Sequence, residues 1–232
     1  MSQAKTGTQP MCADCSLETG SRICLDAEGV GSKGCPTLTR PQVLQEAIKE
    51  FEKPEVREFA RQASIQEAEC YANRDQRPYV LQPTKTRIVE ICEFAQKMNY
   101  TRIGLAFCLG LVNEAKIVSE IFREYGMEVV SALCKAGGTS KERIGIRDEE
   151  KIHRGTDEPM CNPIYQAKLM NWEETDFNVL LGLCVGHDSL FFKYAEAPTT
   201  VLAVKDRVTG HNPLAAIYLS ESYYRKIRHP EL

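Results

Sequence analysis

Residues 176–188 read DFNVLLGLCVGHD, and the fold turns on this stretch. Phe177 to Leu183 is an almost unbroken apolar run, the pattern of a strand covered on both faces in a parallel sheet flanked by helices. Cys184 then falls at the carboxyl end of that strand, followed by Gly186, His187 and Asp188. In open α/β sheets ligands bind in the crevice outside the carboxyl ends of the strands. A thiol and an imidazole delivered there are placed for chemistry.

The same arrangement recurs on both sides. Thr101 to Phe107 (TRIGLAF) ends in Cys108, Met127 to Leu133 (MEVVSAL) ends in Cys134, and Thr199 to Val204 (TTVLAV) delivers Lys205, Asp206 and Arg207. After Cys108, Asn113 is expected to cap a helix whose apolar face is Ile117, Val118, Ile121 and Phe122, closed by Gly126. Cys161 stands before Asn162-Pro163, a helix-start signal, and His211-Asn212-Pro213 repeats the pattern before a last helix with Leu214, Ile217 and Tyr218. Residues 100–232 therefore read as a flavodoxin- or Rossmann-like α/β domain with a mostly parallel sheet and flanking helices. In a flavodoxin strand order the strands ending in Cys134, Cys108 and Cys184 lie side by side. A polar insertion from Thr139 to Pro159 is too charged for core and has the length of a lid or binding loop, with His153 on its surface.

Upstream, residues 39–99 carry helical periodicity. Val43, Leu44, Ala47, Ile48 and Phe51 make one stripe, Val56, Phe59, Ala60, Ala63 and Ala68 a second, and Ile88, Ile91, Cys92, Ala95 and Met98 a third. Cys70 and Cys92 read as small core residues. The stretch Asn73 to Pro83 is a connecting loop. Residues 1–38 form a distinct cysteine-rich segment in which Cys12, Cys15, Cys24 and Cys35 are spaced among glycines with few bulky apolar groups. Such a segment builds no core of its own, and four thiolates around Zn²⁺ or an iron–sulfur cluster would supply the missing order.

Composition sets the outer limits. The chain has 232 residues, 43% hydrophobic and 26% charged, with a formal charge of −3, so it offers no basic footprint for nucleic acid. No run reaches the roughly 18 apolar residues of a membrane span, and the polar opening MSQAKTGTQP lacks a signal-peptide core, so a cytoplasmic protein is expected. Ten cysteines in such a chain point to metal binding or redox chemistry rather than disulfides.

Cys108, Cys134, Cys161 and Cys184, with His211 nearby, are read as one cofactor site. Three adjacent strands span about 10 Å, which suits a [4Fe–4S] cluster better than one tetrahedral ion. His187, Lys205 and Asp188 are the candidate proton donors and acceptors, although Asp188 equally reads as a helix cap. The N-terminal cysteines take zinc or a second cluster. The resulting expectation is a redox or sulfur-handling enzyme, an oxidoreductase or desulfurase, acting on a small molecule or with an electron-transfer partner. A non-catalytic metal carrier or sensor, and a zinc-stabilised small-molecule-binding domain, stand as alternatives.

Several strings taken together carry a family resemblance: CADC at residues 12–15, GLAFCLGL around Cys108, MCNPIYQA around Cys161, GLCVGHD around Cys184 and VKDRVTGHNP from Val204. The chain resembles an uncharacterised bacterial and archaeal family of cysteine-rich, predicted metal-binding proteins known as a domain of unknown function. The resemblance implies metal or iron–sulfur binding and largely anaerobic hosts. It implies no particular reaction.

Overall fold

Apolar runs without alternation form the centre of the computed structural model, which describes residues 9–231. The chain divides into two compact units, Met1–Ile65 and Gln66–Leu232. The division falls within the stretch whose periodicity reads as one helical region.

In the first unit, single turns at Cys12–Asp14 and Thr19–Ser21 lead to the short helix α1 (Pro36–Thr39) and to α2 (Pro41–Glu50). Helix α3 (Pro54–Glu69) runs across the boundary into the second unit. Backbone contact replaces side-chain packing here. Arg22 bridges Val30, and a Cβ at Gly29 would lie 2.6 Å from the Arg22 backbone, so only glycine fits that crossing. Among the described residues, buried apolar side chains begin only at Cys70. The described part of the cysteine-rich segment, residues 9–38, has no buried apolar side chain.

The second unit begins with α4 (Arg87–Lys97) and continues through β1 (Arg102–Phe107), α5 (Val112–Glu124), β2 (Glu128–Leu133), α6 (Pro163–Trp172), β3 (Phe177–Leu183), α7 (His187–Tyr194), β4 (Thr199–Val204) and α8 (Pro213–Tyr218). All four strands are parallel, in the order β2-β1-β3-β4. This is the α/β fold expected from the apolar runs. β3 is buried at every position, because β1 and β4 flank it and helices cover its faces. Residues three apart on a strand face opposite ways. Leu180 accordingly joins Ala106, Ala132, Ala167, Met170 and Phe191 in a cluster under α6 and α7, while Phe177 stacks on Tyr100 and meets Phe94 of α4 on the other side; Leu183 reaches the same cluster because the strand is irregular at Gly182. Fully burying a side chain such as Phe191 stabilises by about 1.5–3 kcal/mol. Cys70 and Cys92 are buried, as their helical positions suggest. Among the described residues no helix is long and apolar enough to cross a membrane.

Two expected caps change. Helix α5 starts at Val112 with Leu111 in the capping position, so Asn113 lies inside the first turn. The turn Leu109–Leu111 is wound directly after Cys108, and this brings the helix start forward. Helix α7 starts at His187 after Gly186, whose φ of 84° suits glycine, and Asp188 sits in its first turn. Asn162 does cap α6, accepting a 2.9 Å hydrogen bond from the Tyr165 N–H, whereas Asn212 precedes α8 without a side-chain bond.

Candidate thiol site at the carboxyl edge of the sheet

Each strand end supplies one piece of the site. Cys108 follows β1, Cys134 follows β2 and Cys184 follows β3, so the order β2-β1-β3 places the three on adjacent strands. Cys161 comes from the start of α6, tied to β2 by a 2.7 Å hydrogen bond from the Asn162 N–H to the Cys134 carbonyl. Cys134 is within hydrogen-bonding reach of both Cys108 and Cys161. The contact is sequential, and among the described residues no three His, Cys, Asp or Glu side chains are grouped as ligands of one metal ion.

The thiols are electrostatically unlike one another. Donating to Cys134 and being half-buried, the Cys108 thiol is pushed up to about 12. At Cys134 the bond from Cys108 pulls downward, but the bond to Cys161 and burial outweigh it and the net shift is upward. The hydrogen bond from Cys134, helped by the nearby Lys135 charge, brings Cys161 down to about 7 despite burial. Backbone donors also reach the sulfurs, with the Leu109 N–H 3.3 Å from Cys134 Sγ and the Gly110 N–H bonding Cys108. Cys184 Sγ lies 3.2 Å from Nη2 of Arg207.

Glycines shape the approach to these thiols. Gly182 has φ of 69° and breaks the β3–β4 register between Leu181 and Leu183. A Cβ there would lie 2.2 Å from Leu111 Cδ1 and 3.8 Å from Lys205 Cε, and a Cβ on Gly110 would lie 3.5 Å from Lys205 Nζ. Lys205 therefore reaches past two positions without side chains to bond Cys108. Beneath the rim, buried Gln166 donates to the carbonyls of Ala132 (2.7 Å) and Phe107 (3.3 Å), tying together the ends of β2 and β1.

The other expected site residues divide. His187 is half-buried close enough to Cys108 to feel its charge, and burial holds the imidazole below its usual value, hence neutral at pH 7. Asp188 turns its carboxylate to the Ser189 N–H at 2.7 Å, a local helix-start contact. His211 has φ of 68° and sets Nδ1 3.0 Å from the Val204 carbonyl and 3.2 Å from the Asp206 nitrogen. That nitrogen braces the turn after β4 rather than meeting a thiol. Asp206 likewise accepts the Val208 and Thr209 N–H groups. Arg207 is the residue that the sequence delivers to this edge without marking it as part of the site; its place three positions past β4 is the only signal.

The insertion closes on itself. Ser140 bridges Pro159, and buried Glu158 accepts the N–H groups of Ile152 and His153 at 3.0 and 3.1 Å while pairing with Lys141 at 2.8 Å. These bonds, Lys141 foremost, hold its carboxyl down to about 2. Lys135 bonds the Pro159 carbonyl, linking the insertion to the residue after Cys134. His153 itself is exposed.

In the first unit Cys12, Cys15, Cys24 and Cys35 all line one cavity of about 80 Å³, with Arg22 and Ser32. Bonds from Ser32 and the Leu17 backbone lower the Cys15 thiol. A Cβ on Gly31 would lie 2.5 Å from Leu38 Cδ1 and 3.1 Å from Cys35 Cβ, so a side chain there would displace Leu38 in the wall of this cavity.

Residues 35–202 match the family described as "Protein of unknown function (DUF1847)". The chain belongs to the DUF1847 family. The matched segment of this DUF1847 protein includes the three strand-end cysteines, Cys161, His187 and Cys35. It is also similar to an uncharacterized protein, MJ0455, of Methanocaldococcus jannaschii, 43% identical over 187 residues and covering 81% of this chain and 88% of the relative. A solved structure, Dph2 from Pyrococcus horikoshii, aligns over 63% of the chain at 16% identity with a TM-score of 0.34. The DUF1847 chain spans 33% of that protein's length.

Proposed function

We propose that the strand-end thiols Cys108, Cys134, Cys161 and Cys184 hold an iron–sulfur cluster, and that the protein carries out redox or sulfur chemistry on a small molecule. The observation that carries this reading is the run of thiol contacts from Cys108 through Cys134 to Cys161, made by residues from separate crossovers, with Cys184 on the strand next to Cys108. Strands about 4.8 Å apart spread three cysteine positions over about 10 Å, a span that a cubane fills more readily than one ion with bonds of about 2.3 Å. N–H groups aimed at sulfur, as from Leu109 and Gly110, are donors of the kind that tune such clusters. Bound there, a cluster supplies electron transfer or an open iron for substrate.

The chain's own groups supply protons. His187, kept neutral by burial, accepts one, and the Lys205 ammonium donates one beside Cys108. In the first unit, four thiols on one cavity and, among the described residues, no buried apolar side chain support binding of Zn²⁺ or a second cluster, whose binding energy becomes folding energy. A carrier or sensor reading draws support from the exposure of Cys12 and Cys24, which leaves that set open to exchange.

Purification without oxygen, followed by iron, zinc and acid-labile sulfide analysis, tests the proposal. Iron and sulfide should be present and should fall in Cys134→Ser and Cys184→Ser, while Cys12→Ser changes only the metal of the first unit. Unchanged iron in Cys134→Ser defeats the assignment. Transfer of metal from the first unit to an apo-acceptor would favour the carrier reading.

A further inference from the structure

The lysines around the insertion are neutralised. Lys135 and Lys141 share Glu158, and Lys151 pairs with Glu142 and Asp148. Lys205 and Arg207 differ: among the described residues neither forms an ion pair with a carboxylate, Lys205 bonds Cys108, and Arg207 Nη2 lies 3.2 Å from Cys184 Sγ. The thiol that Lys205 meets, Cys108, is already engaged with Cys134. Arg207 is exposed and spends one donor on Cys184, leaving the rest of a planar fork suited to two-oxygen recognition. Lys205 runs alongside two glycines, its Nζ 3.5 Å from where a Cβ on Gly110 would stand and its Cε 3.8 Å from one on Gly182. Two uncompensated cations converging on a thiol rim raise the local concentration of anions.

We propose that Lys205 and Arg207 form the receptor for an oxyanion, a carboxylate or phosphate group, on the small molecule that the thiol site acts upon. This rests on the reading of the rim as the reacting centre. The ammonium and guanidinium fix the anionic end, and the remainder of the ligand lies over Cys108 and Cys184.

The test compares two alkylating reagents of similar shape on the full-length, reduced, metal-free chain. Iodoacetate carries a carboxylate and iodoacetamide does not; both transfer their carbon to thiolate sulfur with loss of iodide. The ratio of their rates at Cys184, read by peptide mass spectrometry, cancels any change in thiol ionisation. It should exceed the ratio at exposed Cys24 and fall by roughly fourfold in Lys205→Met and in Arg207→Met, as expected for one charge about 5 Å away in water. Lys205→Arg and Arg207→Lys should keep it. Inorganic phosphate or succinate should slow iodoacetate at Cys184, and the stronger competitor identifies the oxyanion. An unchanged ratio in both Met variants, or no competition by either anion, overturns the receptor. Iron content of Cys134→Ser is a separate readout, so loss of the cluster reading and loss of the receptor are told apart.

Discussion

Cys161 should be more reactive than Cys108 and Cys134 in the reduced, metal-free chain, and the reason lies in Cys134. The bond from Cys134 is the foremost cause that brings Cys161 from the ordinary 9.0 to about 7. At pH 7 about half of it is then thiolate, against about one per cent for a thiol of ordinary value, a gain of roughly fiftyfold. Nucleophilicity falls with basicity, and two units at a Brønsted slope of about 0.45 return roughly eightfold, leaving a net advantage of about sixfold. Iodoacetamide labelling across pH 5–10, read peptide by peptide, should give Cys161 a midpoint near 7. Cys92, buried and pushed up to about 11, serves as the silent control. In Cys134→Ala the bond is gone while burial still raises the thiol, so the midpoint should climb by a unit or more; Lys135→Met should move it less. A wild-type midpoint near 9, or no shift in Cys134→Ala, would refute the contact.

Two further outcomes follow from groups that the site depends on. Glu158 has its carboxyl held at about 2, below its ordinary 4.5, so its contribution is present above pH 4.5 and is lost as pH falls toward 2. Tryptic cleavage at Arg143, Arg147 and Arg154 should rise several-fold in Glu158→Gln at neutral pH, and equal cleavage in the two proteins would exclude Glu158 as the anchor. Gly182→Ala places a methyl against Leu111 at a left-handed backbone position, and should cost about 1–3 kcal/mol in urea unfolding. Leu111→Ala in the same chain should recover part of that loss; a neutral Gly182→Ala would mean that the loop around Leu111 yields freely.

The sheet was legible because buried parallel strands are written as apolar runs. Phe177–Leu183 and Thr199–Val204 have the bounds that their composition suggests, and the three strand-end cysteines follow from those bounds. Adjacent placement required the strand order, which the flavodoxin comparison supplied and the register bears out. What stayed hidden depends on side-chain reach. The bond between Arg207 and Cys184 crosses from one strand end to the next, and nothing local to VKDRVTG marks it. Glu158 reads as one more charge in a polar insertion, yet burial and two backbone N–H groups make it the insertion's anchor. His211 has a local task that its place before Asn-Pro does not announce, with Nδ1 engaged by the backbone of the turn after β4.

The strand order also dictates when the site can exist. β3 pairs with β1 on one side and β4 on the other, so Cys184 takes its place beside Cys108 only after the intervening α5, β2, insertion and α6 have been synthesised. Pairings this remote along the chain form late in folding. A nascent chain halted before β3 already has Cys108, Cys134 and Cys161 but lacks Cys184, so the set of four is complete only once β3 has joined the sheet.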